Sequence, residues 1–431
     1  MIRLDAAAPG FAAAFAALVE DRRESAGDVA QGVAAIIADV RARGADAVRE
    51  LTLTLDRHDL AATGWRVDPA DCAAAYAGLE PGLRHALDLA ATRIRAYHER
   101  QKPADTDYVD GVGVRLGARW RPVDAAGLYV PGGRAAYPSS LLMNAIPARV
   151  AGVGRLAMVT PTPDGRINPL VLAAAHLAGI DEVWRIGGAQ AIAALAYGAG
   201  DIAPVDVVTG PGNAWVAEAK RQLYGVVGID MVAGPSEIVV VADARNDPEW
   251  TAADLLSQAE HDVTTQSILF TDDDAYADAV AAAVERQLDT LATGGVARTA
   301  WAANGAIVVV PTLAEAMPLV DRLAPEHLQL AVDDPQSLFD MVRHAGSVFL
   351  GRHTPEAIGD YVAGPNHVLP TGRRARFASG LSVLDFMKRT SFLGLDETAL
   401  AELGPATVAL AEAEGLPAHA RSVALRLRLN R

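Results

Sequence analysis

GLYVP (127–131) is a short apolar run that ends in proline, and an Ala-rich helical stretch follows it after a glycine turn. The same alternation recurs in two series along the chain. These are LAMVTP (156–161), EVWRIG (182–187) and VDVVTG (205–210), then EIVVVAD (237–243), SILFTD (267–272), AIVVVP (306–311) and SVFLG (347–351). Strands that alternate with helices indicate a parallel sheet covered by helices on both faces. The sequence therefore predicts two doubly wound, Rossmann-like α/β domains, with a cleft where the carboxyl ends of the strands meet.

The two ends of the chain follow a different pattern. The first hundred residues and the last fifty are mostly helical in pattern, and after residue 381 we expect helices with no strand to pair. Such an arm must bury its apolar face against something. We therefore predict an N-terminal helical arm (1–25), a discontinuous α/β domain (26–128 and 237–380), a second α/β domain (129–236) and a C-terminal helical arm (381–431).

Composition excludes several classes of protein. The chain has 431 residues, of which 51% are hydrophobic and 21% charged, as in ordinary globular proteins. A formal charge of -15 argues against nucleic acid as the main partner. No run approaches the roughly 20 apolar residues of a membrane span. The apolar N-terminal stretch lacks a signal-peptide cleavage site. The single cysteine, Cys72, is expected to pack in a helix, and a reducing cytoplasm is the predicted location.

Two glycine turns are candidates for nucleotide binding. In VTGPGNAWVAEAK (208–220) a strand ends in Gly-Pro-Gly, and Asn213 takes the N-cap position of a helix whose free N–H groups suit an anion. An ordinary strand-to-helix turn explains this stretch equally well. VPGGRAAYPSSLLMNA (130–145) has the same layout, which strengthens the nucleotide interpretation. GVGVRLG (111–117) has its third glycine one residue too late for a dinucleotide fingerprint, so we predict a hairpin there.

Polar residues also lie at the ends of otherwise apolar elements. Gln258 and His261 are three apart and share one helix face, a spacing suited to a pair of metal ligands. Taken singly, each such cluster is more often a solvated surface. Their joint presence suggests a divalent metal with mixed nitrogen and oxygen ligands, and the set suits Zn²⁺ or Mn²⁺. The other clusters are Asp360 with His367, in TPEAIGDYVAGPNH (354–367), and Glu414 with His419, in EAEGLPAHARS (412–422).

APEHLQL (324–330) places an acid and a base, Glu326 and His327, side by side between a proline and an apolar run. Such a pair is either a solvated turn or a working acid and base. The position alone does not separate the two interpretations.

Together these motifs closely resemble the histidinol dehydrogenase family. The most specific stretch is IDMVAGPSEIVVVADARNDPEWTAADLLSQAEHD (229–262), and the resemblance is densest from 127 to 422. Further matches, in the family's order, are GGAQAIAALAYG, VTGPGN, APEHLQL, AGSVFLG, GDYVAGPNHVLPTG and EGLPAHARS. The resemblance implies oxidation of L-histidinol through L-histidinal to L-histidine with NAD, the last two steps of histidine biosynthesis. It also implies one zinc per subunit, with manganese as a possible substitute, and a homodimer with exchanged arms.

The resemblance assigns roles to individual positions. Residues 129–236 would form the NAD-binding domain. Glu326 and His327 would be the proton acceptors, His327 as the general base and Glu326 to activate water. The metal ligands would be Gln258, His261, Asp360 and His419; further substrate contacts would come from Ser236, His327, His367 and Glu414, and NAD contacts from Tyr129, Gln190 and Asn213. With these roles, APEHLQL is interpreted as a working pair.

Three alternatives remain at this stage. A related zinc and NAD dehydrogenase of another small polyol or amino alcohol, such as sulfopropanediol, would share the fold and the NAD site. A metal-dependent hydrolase would use similar ligands and a water-activating glutamate, but it would not need two nucleotide-type turns. A non-catalytic binding or scaffold protein would not need the acid and base pair.

Overall fold

The computed structural model describes residues 1–21, 29–132, 137–232 and 234–427. Its strands are β1 (Ile2–Asp5), β2 (Thr106–Val109), β3 (Arg115–Pro122), β4 (Ala125–Tyr129), β5 (Arg155–Val159), β6 (Glu182–Trp184), β7 (Val207–Thr209), β8 (Gly228–Ile229), β9 (Glu237–Ala242), β10 (Gln266–Thr271), β11 (Ala306–Val309), β12 (His327–Ala331), β13 (Ser347–Leu350) and β14 (Met387–Gly394).

The α-helices are α1 (Phe11–Glu20), α2 (Val29–Arg43), α3 (Ala45–Asp56), α4 (Leu60–Thr63), α5 (Pro69–Ala77), α6 (Pro81–Glu99), α7 (Pro138–Ala151), α8 (Pro169–Ala178), α9 (Gly188–Tyr197), α10 (Ala214–Leu223), α11 (Pro248–Ala259), α12 (Asp274–Leu288), α13 (Gly294–Asn304), α14 (Leu313–Leu323), α15 (Pro335–Phe339), α16 (Glu356–Tyr361), α17 (Glu397–Ala413) and α18 (Pro417–Arg426). None of these helices is both long enough and apolar enough to cross a membrane.

The first parallel sheet has five strands in the order β6-β5-β4-β7-β8. Numbered from β4, this is 3-2-1-4-5, the order of dinucleotide-binding sheets. Every residue of β4 is buried, as expected for a strand covered on both faces. Helices α2, α9 and α10 contribute to one core cluster with this sheet. Nearly all of α7 is buried as well.

The second parallel sheet has six strands in the order β1-β11-β10-β9-β12-β13. From β9 onward it repeats the 3-2-1-4-5 order, and β1 adds a strand beside β11. Alternate residues of β9 enter opposite core clusters. Ile238 and Val240 pack with α11 and α12, whereas Val239 and Val241 pack with α1 and α14. The predicted fold class, two doubly wound α/β sheets, is therefore confirmed.

The described chain divides into two compact units. The first contains residues 1–101 and 124–386 and holds both parallel sheets; the second contains residues 102–123 and 387–431. In the second unit β2, β3 and β14 form an antiparallel sheet, and β2 and β3 are the hairpin predicted at 111–117. Small apolar residues of α17 and α18 form a core cluster of their own. The four-part domain division proposed from the sequence stays a prediction.

The expectation that the segment after 381 has no strand was wrong. All eight residues of β14 pair with β3, from Met387 opposite Pro122 to Gly394 opposite Arg115. Most of β14 is exposed and it carries Lys388 and Arg389, so the strand lacks the apolar run that marks the buried strands. The N-terminal arm likewise includes a strand, β1, ahead of its helix.

Candidate active site

A cavity of about 810 Å³ lies in the first unit. The five-stranded sheet contributes the carboxyl ends of its strands, with Tyr129 ending β4 and Gly210 following β7. The six-stranded sheet contributes the opposite edge, because Ser236, Glu326 and His327 lie at the amino ends of β9 and β12. The prediction that the cleft joins carboxyl ends is therefore correct for the first sheet and wrong for the second.

The predicted acid and base pair lies at this amino edge. Ala324 ends α14 in a left-handed conformation (φ 44°), and the chain then turns through Pro325 and Glu326 into β12. Both Glu326 and His327 are about 95% buried. The main-chain N–H of Glu237 donates to Glu326 Oε2 at 3.0 Å, and His327 Nδ1 lies 3.2 Å from the carbonyl oxygen of the same residue. The main chain of Glu237, on the neighbouring strand, thus orients both side chains. Because both are buried, the interpretation of APEHLQL as a solvated turn is excluded.

Hydrogen bonds also set the tautomer of His327. Nδ1 faces two acceptors, the Glu237 carbonyl and Gln258 Oε1 at 3.1 Å, so Nδ1 carries the proton and donates. Nε2 is then the unprotonated nitrogen. Burial lowers the pKa of His327 to about 3, so the ring is neutral at neutral pH and able to accept a proton. Burial also raises the pKa of Glu326 well above its ordinary value.

The predicted metal-binding side chains of the first unit lie beside this pair. Gln258, in the last turn of α11, donates through Nε2 to His261 Nδ1 at 3.3 Å. Asp360 is on α16, and His367 Nδ1 donates to the Asp360 main-chain carbonyl at 2.9 Å. Ser140 is 3.2 Å from Nε2 of His367. His261, Asp360 and His367 line the cavity, and Gln258 reaches its wall through His327.

Glu356, the first residue of α16, was not selected from the sequence pattern. Its side chain is 99% buried, and Glu356 Oε1 lies 3.5 Å from His327 Nε2. Neither atom has a hydrogen-bond partner within the described part of the chain. One atom each from His327, Glu356 and Asp360 fall within 4.8 Å of one another. Burial raises the pKa of both carboxyl groups, Glu356 and Asp360. An acid at the start of a helix is normally interpreted as a favourable charge for the helix dipole, so only the tertiary structure identifies it.

A buried ion pair supports the same edge of the sheet. Arg373 donates to Glu237 Oε1 at 2.9 Å and to Gln266 Oε1 at 2.7 Å. Both charged side chains are about 98% buried. Because an isolated buried charge is costly, the two residues stabilise the fold only as a pair. The pair fixes the side chain of the residue whose main chain contacts Glu326 and His327.

The glycine turn and the helix start predicted at 208–220 form at the other wall of the cavity. Asn213 caps α10 by accepting from the N–H groups of Trp215 and Val216. Gly210 has φ 115°, and a Cβ atom there would lie 2.1 Å from the carbonyl oxygen of Tyr129, so only glycine fits. The ammonium of Lys220 is bound to Asp230, and it donates to the Gly210 carbonyl at 2.9 Å. Part of the second predicted turn, residues 133–136, lies outside the described residues.

Tyr129 and Gln190 lie on the same wall. The hydroxyl oxygen of Tyr129 accepts from the N–H of Gly188 at 3.1 Å, and burial raises the pKa of Tyr129 to about 12. Gln190 is 99% buried, and its Oε1 atom has no hydrogen-bond partner in the described residues. A buried amide oxygen without a partner is costly unless a ligand satisfies it.

Glu414 and His419 belong to the second unit. Glu414 follows the last residue of α17, and His419 is in the first turn of α18. Both side chains are exposed. The structure thus brings together every predicted site residue of the first unit, and it describes Glu414 and His419 with the second unit.

Comparison with known proteins identifies the family. The histidinol dehydrogenase family profile matches residues 19–427. The chain belongs to the histidinol dehydrogenase family. A histidinol dehydrogenase from Zymomonas mobilis is 64% identical over 427 residues, 99% of each chain, and one from Gluconobacter oxydans is 56% identical over 430 residues, 100% of each. The crystal structure of histidinol dehydrogenase from Elizabethkingia anophelis superposes with a TM-score of 0.94 at 35% identity, covering 99% of this chain and 98% of that one.

Membership of the histidinol dehydrogenase family confirms the resemblance predicted from the sequence motifs. The similarity extends over nearly the whole chain rather than over isolated motifs. Coverage of this length also includes the second unit, with Glu414 and His419. The match to the family therefore covers both parallel sheets and the antiparallel sheet described above.

Proposed function

We propose that the cavity oxidises L-histidinol to L-histidine in two successive steps, through L-histidinal, without releasing the aldehyde. The chain is an NAD-dependent oxidoreductase of histidine biosynthesis, as its family is. One observation supports the two-step reaction above all: a buried acid and a buried base, Glu326 and His327, are held side by side by one main-chain residue. Oxidation of an alcohol needs a base, and conversion of the aldehyde to an acid also needs an activated water.

We propose that Tyr129, Gln190 and Asn213 contact NAD. The Gly210–Gly212 turn brings main-chain atoms and the start of α10 to the cavity, where a pyrophosphate would meet the positive end of the helix dipole. The unpaired Oε1 of Gln190 fits a cofactor that supplies a donor. These residues match the chemistry of a dinucleotide.

The donor set also fits a divalent cation. Gln258, His261 and Asp360 would supply nitrogen and oxygen ligands, and we propose His419 as the fourth, with zinc as the metal and manganese as a substitute. The unpaired Nε2 of His327 and Oε1 of Glu356 mark a polar region that lacks a partner in the protein itself. When bound, the metal would polarise the substrate hydroxyl, and NAD would accept hydride. Ser236, His367 and Glu414 are the further substrate contacts proposed.

The protein's own groups manage the protons. His327 is neutral, its Nδ1 proton is fixed by Gln258 and Glu237, and Nε2 can take the proton of the substrate hydroxyl. Glu356 Oε1 lies 3.5 Å from the same nitrogen, and in its ionised form this carboxylate would stabilise the imidazolium that results. Glu326, whose raised pKa makes its carboxylate a stronger base than an ordinary one, would then take a proton from water as that water adds to the aldehyde.

A stoichiometry measurement tests the proposed function. Each L-histidinol is expected to yield two NADH, because oxidation, hydration and re-oxidation occur in one cavity. NADH is followed by absorbance with limiting histidinol and excess NAD⁺, while an aldehyde reagent traps any released intermediate. A plateau at one NADH with trapped histidinal would contradict the two-step proposal. No reaction with histidinol, but turnover of another small alcohol such as sulfopropanediol, would assign the cavity to a different substrate.

Removal of the metal is expected to lower kcat by about 10²-fold, because a bound cation contributes several kcal/mol of charge stabilisation. Affinity for NAD⁺, measured by calorimetry, should change by less than about twofold because Tyr129, Gln190 and Asn213 are on the opposite wall. Zn²⁺ or Mn²⁺ should restore activity and Mg²⁺ should not, because the ligand set includes imidazole. Full activity in protein shown to be metal-free by elemental analysis would contradict the assignment.

We further propose a homodimer in which the segments at 381–431 are exchanged between subunits. The second unit exposes Leu393, Leu410 and Leu425, each by about two thirds of its surface. A second copy would cover these leucines and would bring Glu414 and His419 to a cavity other than their own. The proposed location is the cytoplasm, consistent with one free, buried cysteine, Cys72. The net charge of -15 supports small molecules rather than nucleic acid as ligands.

A further inference from the structure

The five-stranded sheet raises a question about how the cofactor is selected. In sheets of the order 3-2-1-4-5, an acidic residue at the carboxyl end of the second strand binds the adenosine ribose of NAD. The second strand here is β5, and the residues that follow it are Thr160, Pro161 and Thr162, with no carboxylate. A carboxylate reaches this place from elsewhere, because Asp56 Oδ2 accepts from the N–H of Thr162 at 3.1 Å.

The local backbone is built to hold Asp56 there. Asp56 ends α3, and Arg57 follows in the left-handed region at φ 53°, which is uncommon outside glycine and asparagine. This turn lets the residues on both sides of Arg57 reach one threonine. His58 is buried, and its Nδ1 atom lies 2.5 Å from Oγ1 of Thr162. Asp56 accepts a hydrogen bond from the main-chain N–H of the same threonine. Strained backbone held by such contacts is characteristic of functional positions.

The surroundings suit the adenosine half of a dinucleotide. Asp56 lines the cavity together with Ile36, Leu51, Leu55 and Trp215, which form an apolar slot beside its carboxylate. This slot is formed by α2, α3 and the start of α10, whereas Glu326 and His327 lie on the six-stranded sheet. The apolar slot suits a flat base, and the carboxylate beside it suits a ribose hydroxyl.

The charge at this end of the cavity is negative. The guanidinium of Arg57 makes a two-pronged contact with Asp164, at 2.8 and 3.0 Å, and it forms no ion pair with Asp56. Among the described residues that line the cavity, the one lysine or arginine side chain is Lys220, which is bound to Asp230. Asp56 has no ion-pair partner in the described ranges, so its charge is free to act on a ligand.

We propose that Asp56 is a specificity-determining residue that accepts hydrogen bonds from the adenosine ribose hydroxyls of NAD and excludes a 2′-phosphate. A carboxylate accepts from the 2′-hydroxyl, whereas a phosphate at the same position would place two negative groups in contact. The inference rests on the proposed function, because it requires NAD in this cavity.

The test measures binding rather than turnover, by titration calorimetry on the metal-free protein with NAD⁺, NADP⁺ and an NAD⁺ analogue whose adenosine ribose lacks both hydroxyls. Asp56→Asn keeps an acceptor for Thr162 and removes the charge. It is expected to weaken NAD⁺ about 10-fold or more, and to bring NADP⁺ closer to NAD⁺ by about 100-fold. Asp56→Ala should bind NAD⁺ and the deoxygenated analogue with equal affinity, whereas the unaltered protein should prefer NAD⁺.

Asp59→Asn is the matched control. Asp59 is three residues further along the same loop, is exposed, caps α4 and does not line the cavity. It should leave all three affinities unchanged. A folded Asp56→Asn protein that keeps the original preference for NAD⁺ over NADP⁺ would overturn the role of Asp56 and leave the proposed function standing. An unaltered protein that binds no NAD⁺ would overturn the proposed function and this inference together.

Discussion

His327→Ala is expected to lower kcat by about 10³- to 10⁴-fold with L-histidinol and with L-histidinal, because general-base catalysis typically contributes up to 10⁴-fold. Both oxidations remove a proton from a hydroxyl, first that of the alcohol and then that of the hydrated aldehyde. The imidazole is buried, neutral and fixed at Nδ1, and no other histidine faces both Gln258 and Glu237 within the described chain. The measurement is the rate of NADH formation in a single turnover with each substrate.

Two controls separate this effect from damage to the fold. His353→Ala removes an exposed imidazole that contacts Trp250 outside the cavity, and it should leave kcat unchanged. Affinity for NAD⁺ should survive in His327→Ala, because His327 lies on the other sheet from Asn213. A His327→Ala protein that oxidises either substrate at a rate within about tenfold of the original would show that another group is the base.

Glu326→Gln is expected to slow the oxidation of histidinal much more than the oxidation of histidinol. Glutamine keeps an oxygen that can accept from the Glu237 N–H, so orientation is retained while the basic carboxylate is lost. Oxidation of histidinol should fall by less than about tenfold, and oxidation of histidinal by about 10³-fold, because only the second requires an activated water. Rapid mixing with NAD⁺ should show one fast NADH per site followed by a much slower second.

Accumulated aldehyde provides the second readout for Glu326→Gln. Histidinal should be trapped in the first turnover by the variant and not by the original protein. Equal losses on the two substrates would instead mean that Glu326 serves both oxidations, as a structural support or as a second base.

Most of the strands predicted from the sequence are buried along nearly all of their length; β13 is the exception, since Phe349 is its one buried residue. The run EIVVVAD is almost continuously apolar, as expected for a strand covered on both faces. It forms β9, which is fully buried in the middle of its sheet. The strand β12 was not predicted, because His327 and Gln329 interrupt its apolar pattern. Both are buried, and Gln329 is satisfied by Asp254, to which it donates at 2.8 Å. A polar residue can therefore occupy a core strand when a distant partner satisfies it, and that partner is invisible in the local sequence.

The candidate site was predictable to the same extent. Pairs that are close in sequence, such as Gln258 with His261, are visible because of their short spacing. The prediction that both residues share a helix face was wrong, because α11 ends at Ala259 and His261 lies in the turn that follows. The roles of Glu356, Arg373 and Asp56 follow only from their contacts with residues about 29 to 136 positions away in the sequence. The fold brings these distant residues together. The direction of the second sheet was also missed, since a strand pattern does not tell which of its ends meets the cavity.

The contact made by Glu237 has a consequence for how this site can change through evolution. Its peptide group, rather than its side chain, orients Glu326 and His327, so no substitution at position 237 other than proline, which lacks the N–H, can delete either hydrogen bond directly. The strand is held on both sides, by β10 and by β12, and a shift of its register would disturb the whole sheet. A substitution can replace Glu326 or His327, but it cannot shift their alignment by a small amount without moving the strand. The alignment of Glu326 and His327 is therefore a property of the backbone topology of the six-stranded sheet.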